Sequence, residues 1–256
     1  MSKIKLLLCD IDGTLTGANG RGHSARLLPL LLQLKARGAI IGLVTGRETL
    51  SARVVHRLFD LNGPIVGENG AEIILDPAAN EWDARRGGGL ASSRIATLAK
   101  KIADCGLLEH LRMDVEKKHM LTLFHKTFPR HRPEELPVWS RRVASALQED
   151  LADLEITYSS AAIDISARGT NKGRGIELVC EALQIAPHTV AFVGDSNNDQ
   201  AAFDFVRRSG GELAFVGTDP AVKKSLHDYP RVYFAQRYAS EGAADFFQYL
   251  LEHNDY

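Results

Sequence analysis

Two aspartates, Asp10 and Asp12, follow directly after an apolar run of the sequence. The run covers residues 4–9 and is typical of a fully buried strand. Two neighbouring carboxylates repel each other unless a cation or a shared proton lies between them. We therefore expect a divalent metal ion at this point. The alternative is that both aspartates only shape a turn, since Asp and Gly are common turn residues.

A second pair of acids, Asp195 and Asp199, follows the apolar run at residues 189–193. The two acids are four residues apart where a helix begins, so one helical turn brings both carboxylates to the same side. Together with the first pair they form a group of oxygen ligands only. Such a group suits Mg²⁺, which keeps several waters and accepts one or two carboxylates directly. The alternative for Asp199 is an N-cap of the following helix.

Groups that bind anions occur at two further positions. Thr45 ends the apolar run at residues 39–44, and its hydroxyl and the surrounding amides offer hydrogen bonds to an anion. Lys172 stands at a predicted helix start and offers a compact positive charge. Acids, a metal ion, a hydroxyl and a lysine together indicate phosphoryl transfer.

Buried strands alternate with amphipathic helices at both ends of the chain, which predicts a parallel sheet covered by helices on both faces. The fold class is therefore α/β, with a doubly wound, Rossmann-like sheet. In such a sheet the loops that follow neighbouring parallel strands meet at one edge, which is where ligands bind. Strands are predicted at residues 4–9, 39–44, 64–66, 189–193 and 213–217, and residues 71–75 form a hairpin with the third of these.

The middle of the sequence has a different pattern and predicts an inserted α+β domain. Its elements follow the order helix, strand, helix, strand, strand over residues 92–109, 119–125, 138–151, 154–158 and 162–166. The alternation Ile163-Asp164-Ile165 is typical of an antiparallel sheet with one solvated face. Gly87-Gly88-Gly89 is interpreted as a linker. We assign residues 1–82 and 163–256 to the core domain and residues 83–162 to the inserted domain.

The composition argues against several classes of function. The 256 residues are 45% hydrophobic and 25% charged, and the formal net charge of -1 gives no sign of a nucleic-acid footprint. No apolar run approaches the roughly 20 residues that span a bilayer, and the N-terminus lacks a signal-peptide pattern. We therefore expect a cytoplasmic protein without membrane or nucleic-acid partners, either a monomer or a homodimer. The three cysteines have no spacing that indicates a disulfide framework or a zinc site.

The motifs resemble those of the haloacid dehalogenase superfamily of phosphotransferases over the whole length of the chain. The matching residues are Asp10-x-Asp12-Gly-Thr, Thr45, Lys172 and Gly194-Asp195-x-x-Asn198-Asp199. The insert between Thr45 and Lys172 resembles the type II cap. Its element order and the stretch Gly67-Glu68-Asn69-Gly70 are similar to subgroup IIB, which contains sucrose-phosphate, mannosyl-3-phosphoglycerate and archaeal phosphoglycolate phosphatases.

The resemblance implies a covalent mechanism of phosphomonoester hydrolysis. Asp10 would attack phosphorus and form an aspartyl-phosphate, which splits one difficult displacement into two easier ones. Asp12 would protonate the leaving alcohol and then deprotonate the hydrolytic water. Thr45 and Lys172 would hold the transferring oxygens of the phosphate.

The resemblance also implies the ligands of Mg²⁺. They are the Asp10 carboxylate, the Asp12 backbone carbonyl and Asp195, with Asn198 and Asp199 adjusting the shell around the ion. The metal would offset the negative charge of the nucleophile and the phosphate.

Four further residues are predicted to bind substrate: Gly46, Arg47, Glu68 and Asn69. For Arg47 the alternative is a pair with an acid on its own helix, and for Glu68 and Asn69 it is a hairpin turn. The inserted domain would act as a lid, so a small phosphorylated metabolite is expected, with a sugar phosphate as first choice and phosphoglycolate as the alternative. A phosphosugar mutase of the same fold and a non-catalytic phosphosugar-binding protein are further alternatives.

Overall fold

A large sheet of eight strands forms the centre of the protein. The computed structural model describes residues 4–17, 20–77, 84–127, 133–159 and 161–253. The strands of the large sheet are β1 (Leu6–Cys9), β2 (Ile40–Val44), β3 (Ile65–Gly67), β4 (Glu72–Ile74), β5 (Ala84–Arg86), β10 (Val190–Gly194), β11 (Glu212–Phe215) and β12 (Val232–Phe234). Their order is β12-β11-β10-β1-β2-β3-β4-β5. The pairs from β12 to β3 are parallel, whereas β4 and β5 pair in antiparallel fashion.

Helices cover both faces of this sheet. They are α1 (Leu27–Ala36), α2 (Thr49–Leu58), α5 (Lys172–Leu183), α6 (Gln200–Ser209), α7 (Pro220–Leu226) and α8 (Ala239–His253). Alternate side chains of β1 point to opposite faces. Leu7 belongs to a hydrophobic cluster with residues of α1, α2 and α8, whereas Leu8 belongs to a cluster with residues of α5, α6 and α7. The prediction of a doubly wound α/β fold is confirmed. Among the described helices, none is long and apolar enough to cross a membrane.

A second, smaller sheet has its own hydrophobic core. It contains β6 (Leu111–Met113), β7 (Leu121–His125), β8 (Leu154–Tyr158) and β9 (Ala162–Ala167) in the order β6-β7-β9-β8, and all its pairs are antiparallel. Helices α3 (Ser92–Asp104) and α4 (Leu136–Ala146) pack on it. The element order includes β6, which the sequence pattern did not predict. The predicted helix at residues 92–109 ends early because Gly106 adopts a left-handed φ of +72°.

The two sheets divide the chain a few residues away from the predicted domain limits. β5 pairs with β4 in the large sheet, although residues 84–86 were assigned to the insert. β9 pairs with β7 and β8 in the small sheet, although residues 163–167 were assigned to the core. The sequence did not predict β5 because the strand is only three residues long and lies at the edge of the sheet. Such a strand shows little alternation of apolar residues.

Gly87, Gly88 and Gly89 form a tightly packed connection and not a free linker. A Cβ at Gly87 would lie 2.0 Å from the carbonyl oxygen of Gly70. Gly88 and Gly89 have φ values of +145° and +105°, which side-chain-bearing residues rarely adopt. The Gly89 amide also donates a hydrogen bond to the Thr170 hydroxyl at 3.1 Å. The glycines are needed here because two backbones approach closely.

Candidate active site

Three loops meet at the carboxyl edge of the large sheet. β10, β1 and β2 are adjacent parallel strands, and they are followed directly by Asp195, Asp10 and Thr45 respectively. The Asp10 amide donates to the Val193 carbonyl at 3.0 Å, which ties the first loop to the neighbouring strand. The convergence expected from parallel strands is thus present.

Three of the predicted acids form a buried cluster. Asp10, Asp195 and Asp199 each offer a carboxylate oxygen, and these oxygens all lie within 4.8 Å of one another. Burial raises the pKa of Asp10 to about 7, and the nearby charges of Asp199 and Asp12 add to the effect. Burial, followed by the charges of Asp199 and Asp10, also raises the pKa of Asp195 well above its usual range. A divalent cation would offset this repulsion, and oxygen-only ligands fit a hard cation.

Lys172 supplies the positive charge inside this cluster. Its Nζ lies 2.9 Å from Oδ1 of Asp10 and 2.6 Å from Oδ1 of Asp199, and the side chain is fully buried. Burial by itself lowers the pKa of Lys172, but the attraction of Asp10 and Asp199 outweighs this effect and raises the pKa. The lysine begins α5, whose N-cap is Asn171. Lys172 therefore remains charged and fixes the carboxylate of Asp10.

Asp199 organises the loop after β10. Its Oδ2 accepts hydrogen bonds from the amides of Asp195 at 2.9 Å and Ser196 at 3.0 Å, while its Oδ1 faces Lys172. Ser196 and Asp199 form a capping box, and the Ser196 hydroxyl donates to Asn198 Oδ1 at 2.8 Å. Asp199 is thus both a capping residue and part of the acid cluster.

Gly13 and Thr14 bring the first loop against Asp195. Gly13 has a φ of +78°, and a Cβ there would lie 2.4 Å from Asp195 Oδ2. The Thr14 hydroxyl donates to Asp195 Oδ1 at 3.3 Å. Thr14 was not among the predicted site residues, although it belongs to the motif Asp10-x-Asp12-Gly-Thr. A side chain at position 13 would therefore clash with the Asp195 carboxylate.

Arg47 binds Asp12 in a bidentate ion pair. Its Nε lies 2.7 Å from Asp12 Oδ2 and its Nη2 lies 2.6 Å from Asp12 Oδ1. The hydrogen bond with Asp12 also raises the pKa of Arg47. The alternative, a pair with an acid on its own helix, is not observed, because Glu48 caps α2 by accepting from the amides of Leu50 and Ser51. Both paired side chains are about one-third exposed.

Thr45 follows β2 directly, and β2 pairs with β1, the strand that precedes Asp10. The residue is buried, and its hydroxyl accepts a hydrogen bond from the Arg47 amide at 3.1 Å. Its carbonyl oxygen accepts from the Asn69 amide at 3.0 Å. A hydroxyl in this position can contact an anion bound beside Asp10.

The other three predicted substrate-binding residues contact the inserted domain. Glu68 is fully buried and accepts hydrogen bonds from the amides of Lys118 at 3.1 Å and His119 at 2.7 Å. The Gly46 carbonyl accepts from the Lys117 ammonium. Glu68 and Asn69 have φ values of +45° and +52° in the turn that joins β3 to β4, so the predicted hairpin is also present.

Asp164 is buried, whereas the alternation in β9 predicted a solvated position. Its side chain accepts from Asn69 Nδ2 at 2.9 Å and from the Thr122 hydroxyl at 2.8 Å, and the residue is only 4% exposed. The polar face of the small sheet lies against the core at this point. Alternation shows which residues share a face, but it cannot show what covers that face. Asp164 and Thr122 were therefore missed.

Comparison with known proteins assigns the chain to a family. The model of the family "Sucrose-6F-phosphate phosphohydrolase" matches residues 3–250. A phosphoglycolate phosphatase of Methanopyrus kandleri is 26% identical over 257 residues, which cover 98% of this chain and 98% of that protein. The sequence thus resembles this enzyme along its whole length.

Two solved structures share the fold. The sucrose-phosphatase of Synechocystis sp. PCC6803, solved with sucrose and phosphate, has a TM-score of 0.64 at 18% identity and covers 98% of both chains. A haloacid dehalogenase-like hydrolase from Bacteroides thetaiotaomicron has a TM-score of 0.68 at 16% identity, covering 97% of this chain and 100% of that one. Phosphatases of this superfamily use a divalent metal ion, which agrees with the buried acids. The predicted resemblance is confirmed: the chain belongs to the sucrose-6F-phosphate phosphohydrolase family and is a phosphatase of the haloacid dehalogenase superfamily.

Proposed function

We propose that this phosphatase hydrolyses a small sugar phosphate with Mg²⁺ and through an aspartyl-phosphate on Asp10. The observation that carries the proposal is the position of Asp10, which lies between the ammonium of Lys172 and the carboxylates of Asp195 and Asp199. The ion pair with Lys172 fixes the orientation of the nucleophile. It also provides a buried positive charge that stabilises the charge of the transferring phosphoryl group.

Asp12 acts as the general acid and base in this proposal. It follows Asp10 by two residues on the same loop, and its carboxylate is partly exposed, so it can exchange protons with an alcohol or a water. Arg47 holds this carboxylate through two hydrogen bonds and thereby sets its direction. Thr45 donates its hydroxyl to a phosphate oxygen. We retain Arg47 and Gly46 as residues that border the substrate.

Mg²⁺ would be held by the Asp10 carboxylate, the Asp12 backbone carbonyl and Asp195, and it would offset the charge of the nucleophile and the phosphate. Thr14 supports this arrangement because its hydroxyl orients the Asp195 carboxylate. The oxygens of Asp199 already accept from Lys172 and from two amides. We therefore assign Asp199, together with Asn198, to the shell that positions Asp195 and Lys172.

The part of the chain that carries the small sheet would serve as a cap over the site, and the two sheets support a division close to the predicted residues 83 and 162. Glu68 and Gly46 of the core contact the loop at residues 117–119 of the cap. A cap in such contact would exclude water from the reaction and favours a small phosphoester over a bulky substrate. We retain the predictions of a cytoplasmic protein that is a monomer or a homodimer.

Phosphoglycolate is the second candidate substrate. It is favoured by the sequence relative from Methanopyrus kandleri, which is named a phosphoglycolate phosphatase and aligns along the whole chain. A panel of hexose, disaccharide and glycerate phosphates with phosphoglycolate, ranked by kcat/KM, separates the two candidates. A preference for phosphoglycolate of about tenfold, or ~1.4 kcal/mol of transition-state free energy, would reverse our choice.

The basic test is hydrolysis of 4-nitrophenyl phosphate with and without Mg²⁺. We expect one phosphate released for each ester consumed, loss of activity in EDTA, and no turnover by Asp10→Asn, because an amide cannot act as the nucleophile. Asp153→Asn is the matched control, since it removes an acid from an exposed turn of the cap. Release of an isomeric phosphate ester from a sugar phosphate would indicate a mutase. Absence of turnover with every divalent metal would indicate a binding protein.

A further inference from the structure

Two buried side-chain atoms of the described residues lack a hydrogen-bond partner, and both belong to the junction between core and cap. They are Oδ1 of Asn69 and Nδ1 of His119. Asn69 is 4% exposed and lies in the turn between β3 and β4, while His119 lies in the cap loop that Glu68 holds. Buried polar groups in proteins are almost always paired. A ligand that supplies the missing partner would explain the exception at Asn69.

The orientation of the Asn69 amide follows from its neighbour. Asp164 accepts from Asn69 Nδ2 through one carboxylate oxygen and from the Thr122 hydroxyl through the other. A carboxylate can only accept hydrogen bonds, so the NH₂ group of Asn69 must face Asp164. Its carbonyl oxygen is then turned the other way. The group presented at the junction is therefore an acceptor, and its orientation is set by two cap residues.

This acceptor lies beside the phosphate end of the site. The Asn69 amide donates to the Thr45 carbonyl at 3.0 Å. A Cβ placed on Gly46 would lie 3.3 Å from Asn69 Oδ1 and 3.3 Å from Asp164 Oδ2. The phosphate is expected against the core loops, so the leaving alcohol must extend from there towards the cap. Asn69 Oδ1 lies between Gly46 of the core and Asp164 of the cap, at the boundary that this alcohol would meet.

We propose that Asn69 Oδ1 accepts a hydrogen bond from a hydroxyl of the leaving alcohol, and that Asp164 and Thr122 are positioning residues that keep this oxygen turned towards it. The inference rests on the proposed function and names the residue that would make the site select a sugar phosphate. An acceptor next to a buried carboxylate pairs with a hydroxyl and repels a carboxylate, which disfavours a glycolate leaving group.

The test compares kcat/KM for three kinds of ester: sugar phosphates (glucose 6-phosphate and sucrose 6F-phosphate), phosphoglycolate, and 4-nitrophenyl phosphate, which carries no hydroxyl and no carboxylate. The wild type should prefer a sugar phosphate to phosphoglycolate. Asn69→Gly removes the acceptor and tolerates the left-handed φ at this position. It should lower kcat/KM for the preferred sugar phosphate by about tenfold or more, but that for 4-nitrophenyl phosphate by less than about threefold.

A second set of variants tests whether Thr122 and Asp164 orient the Asn69 side chain. Thr122→Val removes the hydroxyl that orients Asp164 and should lower the ratio of sugar phosphate to 4-nitrophenyl phosphate activity, whereas Thr122→Ser keeps the hydroxyl and should restore the ratio. Asp164→Asn allows the Asn69 amide to turn either way and should also lower the ratio. Asp153→Asn, the exposed acid of the cap, should leave it unchanged. Melting temperatures of all variants show whether each protein is folded.

Three results would overturn the inference: a wild type that prefers phosphoglycolate, an equal loss for all esters in Asn69→Gly, and equal ratios for Thr122→Val and Thr122→Ser. An equal loss would mean that Asn69 only holds the cap closed. Failure of the wild type to hydrolyse 4-nitrophenyl phosphate with any divalent metal would instead contradict the proposed function itself. The two kinds of failure are therefore distinguishable.

Discussion

Lys172 Nζ lies 2.6 Å from Asp199 Oδ1, and both side chains are fully buried although they belong to helix α5 and to the loop after β10. Buried carboxylates are tolerated here because an ammonium is buried with them. The same ammonium contacts Asp10, so one charge holds together the proposed nucleophile and the loop that carries Asp195. We therefore expect stability and catalysis to be linked at this residue.

Replacement of the buried lysine should reduce both stability and activity. In Lys172→Met the carboxylates of Asp10 and Asp199 lose their counter-charge, so we expect the free energy of unfolding to fall by about 3 kcal/mol and kcat by about 10²-fold or more. Urea unfolding and phosphate release measure the two effects. Lys100→Met is the control, because Lys100 forms an exposed pair on α3 and should cost less than about 0.5 kcal/mol.

A second change should separate these two effects. The double variant Lys172→Met/Asp199→Asn removes one of the unpaired charges, so it should regain about half of the lost stability. It should not regain activity, because the positive charge beside Asp10 is still missing. A double variant no more stable than Lys172→Met would show that charge compensation is not the reason for the buried lysine.

The metal-free protein should become less stable as the pH rises. The pKa of Asp10 is about 7 in the folded protein, whereas its ordinary value is 3.8. Between these values the folded state binds more protons than the unfolded state, so the free energy of unfolding falls with increasing pH, by an amount on the order of a few kcal/mol. The raised pKa of Asp195 acts in the same direction. Melting temperatures in EDTA from about pH 4 to about pH 8 measure this slope.

Addition of Mg²⁺ should reduce this slope, because the metal binds the deprotonated carboxylates and its affinity rises with pH. Asp10→Asn should also flatten the curve in EDTA, since the titrating group is absent. A melting temperature in EDTA that rises between about pH 4 and about pH 7 would contradict the raised pKa of Asp10.

Variants of Asp12 and Arg47 should slow hydrolysis to a degree that depends on the leaving group of the ester. Asp12→Asn should slow hydrolysis of an alkyl phosphate more than that of 4-nitrophenyl phosphate, because only the alkyl leaving group needs protonation. Arg47→Gln leaves Asp12 present but unoriented and should produce a smaller effect of the same kind, about tenfold in kcat/KM for the alkyl ester. Its melting temperature should change little, because the ion pair is partly exposed. Equal losses for both esters in Arg47→Gln would indicate that Arg47 contacts the phosphate directly.

Because the glycine connection is tightly packed, an alanine there should destabilise the protein more than an alanine at an exposed glycine. Gly87→Ala places a methyl group against the Gly70 carbonyl and should destabilise the protein by about 2–3 kcal/mol. Gly169→Ala is the comparison, because Gly169 has open space around it and only its φ of +81° opposes alanine, at a cost of about 1 kcal/mol. If both variants had equal stability, the connection at Gly87 would behave as the free linker that the sequence pattern predicts.

The sequence alone determined the α/β core and the acids at its edge. The strands that directly precede Asp10, Thr45 and Asp195 are buried on both faces, so each appears as a continuous apolar run. Parallel pairing of such strands then brings their loops together without further information. The alternation of strands and helices is a local pattern, and local patterns can be read from a single sequence.

Contacts between distant surfaces were decided only by the tertiary structure. Asp164 alternates like a solvated strand residue, yet it is buried because the core covers that face of the small sheet. Arg47 reaches Asp12 across 35 positions, and Glu68 binds cap amides 50 residues away. The short edge strands β5 and β12 pair mainly through backbone groups, which every sequence possesses. Segments far away in the chain decide which residues cover a sheet face and which strands pair at a sheet edge. The local spacing of residue types therefore does not predict these contacts.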